Sequence, residues 1–284
     1  MRSLAHIINP FVIGTESDLH LAQRVTMKSM ERAKSEASGK LNVDLVSAQY
    51  PEDREMIGHG WIMTPDLDRS MRDKGNFDRN MKLPFIRDIL DRLYTLSEAE
   101  YLIFTNVDIG VQPNFYSRIS KFIDEGYDAF IINRRRIPEV YSDVDELDRM
   151  YSAKGKKHPG FDCFVFHRDM YPKFSLADVC IGVPFIGITL AQNVFCHAKK
   201  PKVFTDEFLT FHIGMELFKK RASRDYFRYN RKEFWKAMEV IWDSLDTKKW
   251  PHGNSVMPWR MLLWGINPSL PIRLALKLEP RRWL

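Results

Sequence analysis

Short apolar runs rich in β-branched and aromatic residues recur along the chain: LAHIIN (4–9), LNVDLVSA (41–48), YLIFTN (101–106), YDAFIIN (127–133), FDCFVFH (161–167) and KVFT (202–205). Each has the length of a strand and is bounded by polar or glycine-containing sequence, so each predicts a buried strand. Between them the apolar positions follow a helical period. Ser17 predicts an N-cap for a helix that runs to Ser38 and is stopped by Gly39. Pro113 suits the first turn of another helix, which Gly126 ends. From Asp225 to Asp246, residues Phe227, Phe234, Met238, Ile241 and Leu245 recur at helical spacing and predict one core-facing stripe.

This alternation predicts an α/β architecture, a sheet sandwiched by helices. Residues 1–215 hold the strands and read as one catalytic domain, and 216–284 read as a helical C-terminal extension. ADVCIGVPFIGITLAQN (177–193) predicts a helix from Ile181, and Pro51 to Asn80, polar and aperiodic with Gly58, Gly60 and Gly75, predicts a mobile loop. After Trp250, the residues Pro251, Gly253, Pro258, Pro268 and Pro271 mark irregular structure.

With 284 residues, 44% of them hydrophobic, the chain has enough apolar material for a large core. Cys163, Cys180 and Cys196 form no CxxC pair, which disfavours a disulfide framework or a thiolate zinc site and suits a reducing, cytoplasmic setting. The opening residues hold too short an apolar stretch for a signal peptide, and no apolar run is long enough to span a bilayer. The net charge of +6 is concentrated late: residues 257–284 carry Arg260, Arg273, Lys277, Arg281 and Arg282 against Glu279. Trp259, Trp264 and Trp283 lie among them, a mixture that an anionic membrane surface favours, although a tail packed on the core reads equally well. Residues 1–256 are nearly charge-balanced, which disfavours nucleic acid as a partner.

The chemistry gathers where YLIFTNVDIG leaves its strand. Ligands collect at the carboxyl ends of strands in open parallel sheets, and Asn106 and Asp108 sit there. Asp108 precedes Pro113 by slightly more than a cap of the following helix would, which weakens that role without removing it, and a hard divalent cation, Mn²⁺ or Mg²⁺, is the alternative use of its carboxylate. His212, in TDEFLTFHIG, is a second candidate ligand, and an imidazole with one carboxylate leaves coordination positions open for a diphosphate.

Taken in order, IINPF (7–11), N-V-D (106–108), HPGFDCFVF (158–166) and FHIG (211–214) resemble the GT-A class of nucleotide-sugar glycosyltransferases across residues 4–215. The resemblance implies a GT-A-like catalytic domain with a Rossmann-type mixed sheet, a nucleotide-sugar donor, a glycan or lipid-linked acceptor, and Asp108 and His212 as metal ligands. It places HPGFDCFVF between donor sugar and acceptor, and Asn9, Pro10 and Phe11, at the end of the first strand, read either as contacts to the nucleotide base or equally as a plain turn. Two features depart from the class pattern: Asn106 stands where an Asp-x-Asp motif has its first acid, and the helical part after Ile181 carries no acid facing the acceptor.

The base of an inverting transfer must then come from elsewhere. Asp162, after Gly160 at the start of a strand, is the first candidate and Asp178 the second; a capping or turn carboxylate is the other reading of Asp162, and a retaining transfer would need no such base. Arg134, Arg135 and Arg136 follow a strand and suit phosphate oxygens, with one or two of them expected to reach a ligand. Lys154, Lys156 and Lys157 read either as a closing loop or as a solvated one. No GxGxxG, GxxxxGK[ST] or GxSxG occurs, which disfavours dinucleotide oxidoreductases, P-loop enzymes and serine hydrolases. The rival reading is a binding protein of the same fold that keeps a nucleotide-sugar or glycan pocket without turnover.

Overall fold

A computed structural model of the chain describes residues 1–158, 160–214, 223–246 and 249. In chain order the first half comprises β1 (Ser3–Ile8), α1 (Asp18–Ala37), β2 (Asn42–Ser47), β3 (Trp61–Met63), α2 (Ile86–Leu96), β4 (Tyr101–Thr105), β5 (Gly110–Val111) and α3 (Phe115–Asp124). The second half comprises β6 (Ala129–Ile132), β7 (Arg135–Ile137), α4 (Leu147–Ser152), β8 (Lys156–Lys157), β9 (Cys163–His167), α5 (Ile186–His197), β10 (Pro201–Phe204), β11 (Thr210–Ile213) and α6 (Arg224–Ile241).

Seven strands form the main sheet in the order β10-β6-β9-β4-β1-β2-β3. All neighbours are parallel except β9, which runs antiparallel to both β4 and β6. Its two faces bury separate apolar clusters. One, with Ile7, Leu102 and Phe164, receives Ile89, Leu93, Leu190 and Val194 from α2 and α5. The other, with Leu4, Ile103 and Val165, receives Met30, Ile119 and Phe122 from α1 and α3. The chain therefore has the α/β sheet layered between helices that its sequence pattern predicts.

A second, four-stranded sheet in the order β5-β11-β7-β8 stands at one edge of the first. No periodicity announces it, because β5 and β8 are two residues long. Three of its strands continue the carboxyl ends of β4, β6 and β10, and β8 leads into the amino end of the reversed strand β9. Short links at 106–109, 133–134, 160–162 and 205–209, with His158, are consequently gathered along one edge of the main sheet. Gly110 is required at this junction, since a Cβ there would lie 2.5 Å from the Phe211 ring across the β5–β11 pair.

The ends of α1 agree with its sequence: the Ser17 hydroxyl accepts from Leu19 N, and Gly39 has a φ of +76°. Three other expectations are corrected. The segment from Pro51 to Asn80 contains β3, paired in parallel with β2, and buries Leu67 and Met71, so it is anchored rather than free. The helix expected from Ile181 begins at Ile186, because Cys180 pairs with Phe85 and Phe185 adopts a left-handed φ of 91°. Pro113 precedes Asn114, the N-cap of α3, and so lies just outside the helix it was expected to open.

Helix α6 buries Tyr226, Phe234, Met238 and Ile241, while Phe227 and Leu245 are only partly covered. It packs on α5 and on the loop before it: Asn230 accepts from Cys180 N (2.9 Å) and donates to the carbonyls of Cys180 (2.9 Å) and Pro184 (3.1 Å). Tyr226 stacks on Phe77, which fastens residues 77–81 as well. The basic, Trp-containing tail of residues 257–284 lies outside the described residues.

Candidate active site

The gathered links carry Asp108, Arg134, His158 and Asp162, and His212 reaches the same place from β11. Asp108 Oδ2 lies 3.1 Å from His212 Nε2, and the other ring nitrogen, Nδ1, is 3.3 Å from the Gly214 carbonyl oxygen. Both neighbours of the imidazole are thus acceptors. With Nδ1–H donated to Gly214, Nε2 presents toward Asp108 either a proton or a lone pair, and a cation can occupy the place of that proton.

Asp108 Oδ1 is buried and unpartnered. Burial pushes this carboxyl upward, but the hydrogen bond and charge of His212, together with Arg134, outweigh it and hold it at about 2. An ionised carboxylate with one orphaned oxygen beside an imidazole suits a divalent ion whose remaining positions go to phosphate oxygens or water. No group of three or more His, Cys, Asp or Glu side chains able to hold a metal occurs among the described residues, where Asp108 and His212 are the pair suited to such a site.

The second buried pair is Arg134 Nη1 with Asp162 Oδ1, 2.7 Å apart and almost fully shielded. Burial raises the Asp162 carboxyl, yet the Arg134 charge and His158 reverse the effect and leave it below its ordinary value. His158 Nδ1 accepts from Gly160 N at 3.0 Å and lies 3.5 Å from Asp162 Oδ2. Burial and Arg134 lower the His158 pKa, which favours the neutral ring, while Asp162 acts in the opposite direction. His158 Nε2, Asp162 Oδ2 and Arg134 Nε all lack partners although buried. Unsatisfied buried groups are few in folded proteins, and their concentration with Asp108 Oδ1 makes this the candidate place for a polar ligand. Gly187, in the first turn of α5, packs so closely that a Cβ would lie 2.8 Å from the Phe161 carbonyl.

The other expected residues are placed differently. Arg135 turns away to donate to the carbonyls of Met150 (3.3 Å) and Tyr151 (2.8 Å), which ends α4. Asn106 accepts Ile109 N through its backbone carbonyl (3.2 Å), closing the turn that carries Asp108. Asn9 donates to Ala48 O at 2.6 Å, and Phe11 exchanges hydrogen bonds with the Gln23 amide, so the IINPF segment is tied to β2 and α1. Pro10 is buried between them. Asp178 lies apart from the Asp108 group: it accepts from Lys74 Nζ (2.6 Å) and Arg87 Nη2 (3.0 Å), with Arg69 Nη2 at 3.5 Å. Burial raises its pKa, but these cations, led by Lys74, bring it below the ordinary carboxylate value. Lys157 pairs with Asp206, and Lys156 and Lys157 form β8.

His158 and Asp53 were not singled out from the sequence. Asp53 is buried and accepts from Val12 N at 2.8 Å, beside the IINPF segment. The signal for His158 was its spacing, four residues before Asp162 in HPGFD.

No family model matches this sequence, and no curated protein matches it. Among solved structures, the chain is similar to residues 1–349 of TarS from S. aureus in complex with UDP-GlcNAc, at 12% identity and a TM-score of 0.53. It is also similar to the same fragment in complex with UDP, at 11% identity and a TM-score of 0.52. Each likeness covers 98% of this chain and 76% of that one. At this identity the likeness establishes the fold, a GT-A-like one.

Proposed function

We propose that the protein is a divalent-metal-assisted glycosyltransferase that moves a sugar from a nucleotide-sugar donor to a hydroxyl of a glycan or lipid-linked acceptor. The observation that carries this reading is the orphaned Asp108 Oδ1 beside His212, at the carboxyl edge of a GT-A-like sheet. The binding of UDP-GlcNAc and UDP by TarS supports a nucleotide sugar as the donor class.

Asp108 and His212 are the residues suited to hold Mn²⁺ or Mg²⁺ against the donor diphosphate. A metal bound there offsets the negative charge that builds on the leaving nucleotide. The nucleotide base is assigned to the end of β1 at Asn9, Pro10 and Phe11, and Arg134 is assigned to add positive charge near the diphosphate.

In an inverting displacement the acceptor oxygen bonds to the anomeric carbon as the bond from that carbon to the phosphate oxygen breaks. Asp162 Oδ2 takes the acceptor proton, and the nucleoside diphosphate departs with the bonding electrons. Arg134 keeps the carboxylate ionised and fixed through Oδ1, leaving Oδ2 to receive the proton. Asp162 is preferred to Asp178 because the latter is surrounded by three cations and has no comparable free oxygen. The basic tail of residues 257–284 would bring the enzyme to an anionic membrane if the acceptor is lipid-linked.

Release of nucleoside diphosphate from a panel of nucleotide sugars, with and without Mn²⁺, tests the proposal on wild type and Asp108→Ala. Metal-dependent release that the variant lacks supports it. Binding of a nucleotide sugar without any release, even with acceptors present, would leave a binding protein of the same fold.

A further inference from the structure

The buried stripe of α6 faces α5 and the loops around Asp178, which leaves an outer face of unusual composition. Arg224, Arg228, Arg231 and Lys232 are exposed along its first half, and none of the four forms an ion pair among the described residues. Lys236 differs, since it donates to Glu233 at 2.6 Å. Farther along, Trp235 is 36% exposed, Val240 75% and Trp242 63%. Trp235 and Trp242 are two turns apart, and the helical period sets them in line with Arg224, Arg228 and Arg231. Trp235, Met238, Glu239, Trp242 and Asp243 border a shallow groove of about 420 Å³. Exposed Arg79 extends the basic region beyond the start of α6, because its carbonyl accepts the Tyr226 hydroxyl and Asp78 N donates to Asp225 at 2.7 Å.

A basic helix face alone is ordinarily solvated, and a single exposed indole is common. Their combination on one strip calls for a partner that is negatively charged at its surface and apolar a few ångströms below. We propose that the outer face of α6 docks on an anionic phospholipid surface. Arg224, Arg228, Arg231 and Lys232 meet the lipid phosphates, while Trp235 and Trp242 enter the interfacial layer where indole rings are favoured. A soluble polyanion would satisfy the cations but leave both indoles in water. A second copy in parallel would oppose like charges, whereas an antiparallel one would set Glu239 and Asp243 against the arginines, so self-association is an outcome the test must separate. The residues invoked belong to α6 and its C-cap, and the proposal does not depend on the transferase reading.

Sedimentation of the full chain with vesicles tests the assignment, using phosphatidylcholine alone and phosphatidylcholine mixed with phosphatidylglycerol. Wild type should bind the mixed vesicles, more weakly as salt rises, and bind neutral vesicles little. Arg228→Glu with Arg231→Glu should lower binding at least tenfold, on the order expected for two reversed interfacial charges. Trp235→Ser with Trp242→Ser should lower it severalfold, and unchanged urea midpoints would establish that both variants are folded. Failure of wild type to bind the mixed vesicles would overturn the proposal. So would binding that neither double variant weakens, polyphosphate binding equal to vesicle binding and indifferent to the tryptophans, or self-association that the Trp variants abolish in place of vesicle binding.

Discussion

Asp108 and His212, 104 residues apart in the chain, meet at 3.1 Å because their strands lead into neighbouring positions of a small second sheet. β5 follows Asp108 and pairs with β11, which holds His212, so the strand pairing fixes the distance between two groups that no local motif connects. If the couple binds a metal and a nucleoside diphosphate, UDP with Mn²⁺ should stabilise the wild type by about 2.7 kcal/mol at 100 times its Kd. The thermal midpoint should rise by roughly 5 °C for a chain of this size. Asp108→Ala and His212→Ala should each abolish the metal-dependent part of that rise. A full rise in either variant would remove the residue from the site.

The pair Arg134–Asp162 separates binding from chemistry. Asp162→Asn preserves shape and can still accept from Arg134, so donor-dependent stabilisation should persist while turnover falls about 10² to 10⁴-fold, the usual contribution of a general base. Arg134→Ala instead strands a buried carboxylate and should cost roughly 3–5 kcal/mol in urea unfolding. Equal turnover in Asp162→Asn and wild type would assign the proton to another group.

The main sheet was legible because six of its strands are continuous apolar runs whose character depends on local composition. The helix ends at Ser17 and Gly39 were legible for the same reason, since capping is decided within a few residues. The positions that build the site were legible only in part. Asp108 stood out as a carboxylate ending an apolar run, but its proximity to Asp162 and Arg134 follows from the reversal of β9, which the sequence of β9 does not encode locally. Arg134 and Arg135 are adjacent and chemically alike, yet one meets Asp162 and the other ends α4, because successive side chains about a strand point to opposite sides. β3 was missed because three residues, Trp61–Met63, carry too little pattern to be told from a loop.

Asn230 tests how far α6 belongs to the same cooperative unit as the sheet. Its side chain is fully buried and makes three hydrogen bonds to the backbone of residues 180–184. Asn230→Ala would leave a buried N–H and two carbonyls with fewer partners, at a cost of about 2–4 kcal/mol. Urea unfolding followed by far-UV dichroism should show one transition moved to lower urea. A separate early transition with the main one unchanged would mean that α6 unfolds independently of the sheet.

His6 makes the stability of the fold depend on pH from within β1. The ring is fully buried, with Nδ1 3.0 Å from the Tyr116 hydroxyl and Nε2 2.9 Å from the Thr105 hydroxyl. Burial lowers its pKa from 6.5 to about 3, so the folded protein resists protonation there while the unfolded chain accepts it. Stability from this site is complete above pH 6.5 and is lost as pH falls toward 3. Between pH 6.5 and 4 the loss should reach about 3 kcal/mol. His6→Gln retains hydrogen-bonding capacity without a titrating proton, so it should be less stable than wild type at neutral pH but lose less on acidification. Urea midpoints measured from pH 7 to pH 4 should converge for the two proteins. Parallel pH profiles would show that His6 gains its proton without unfolding the sheet around it.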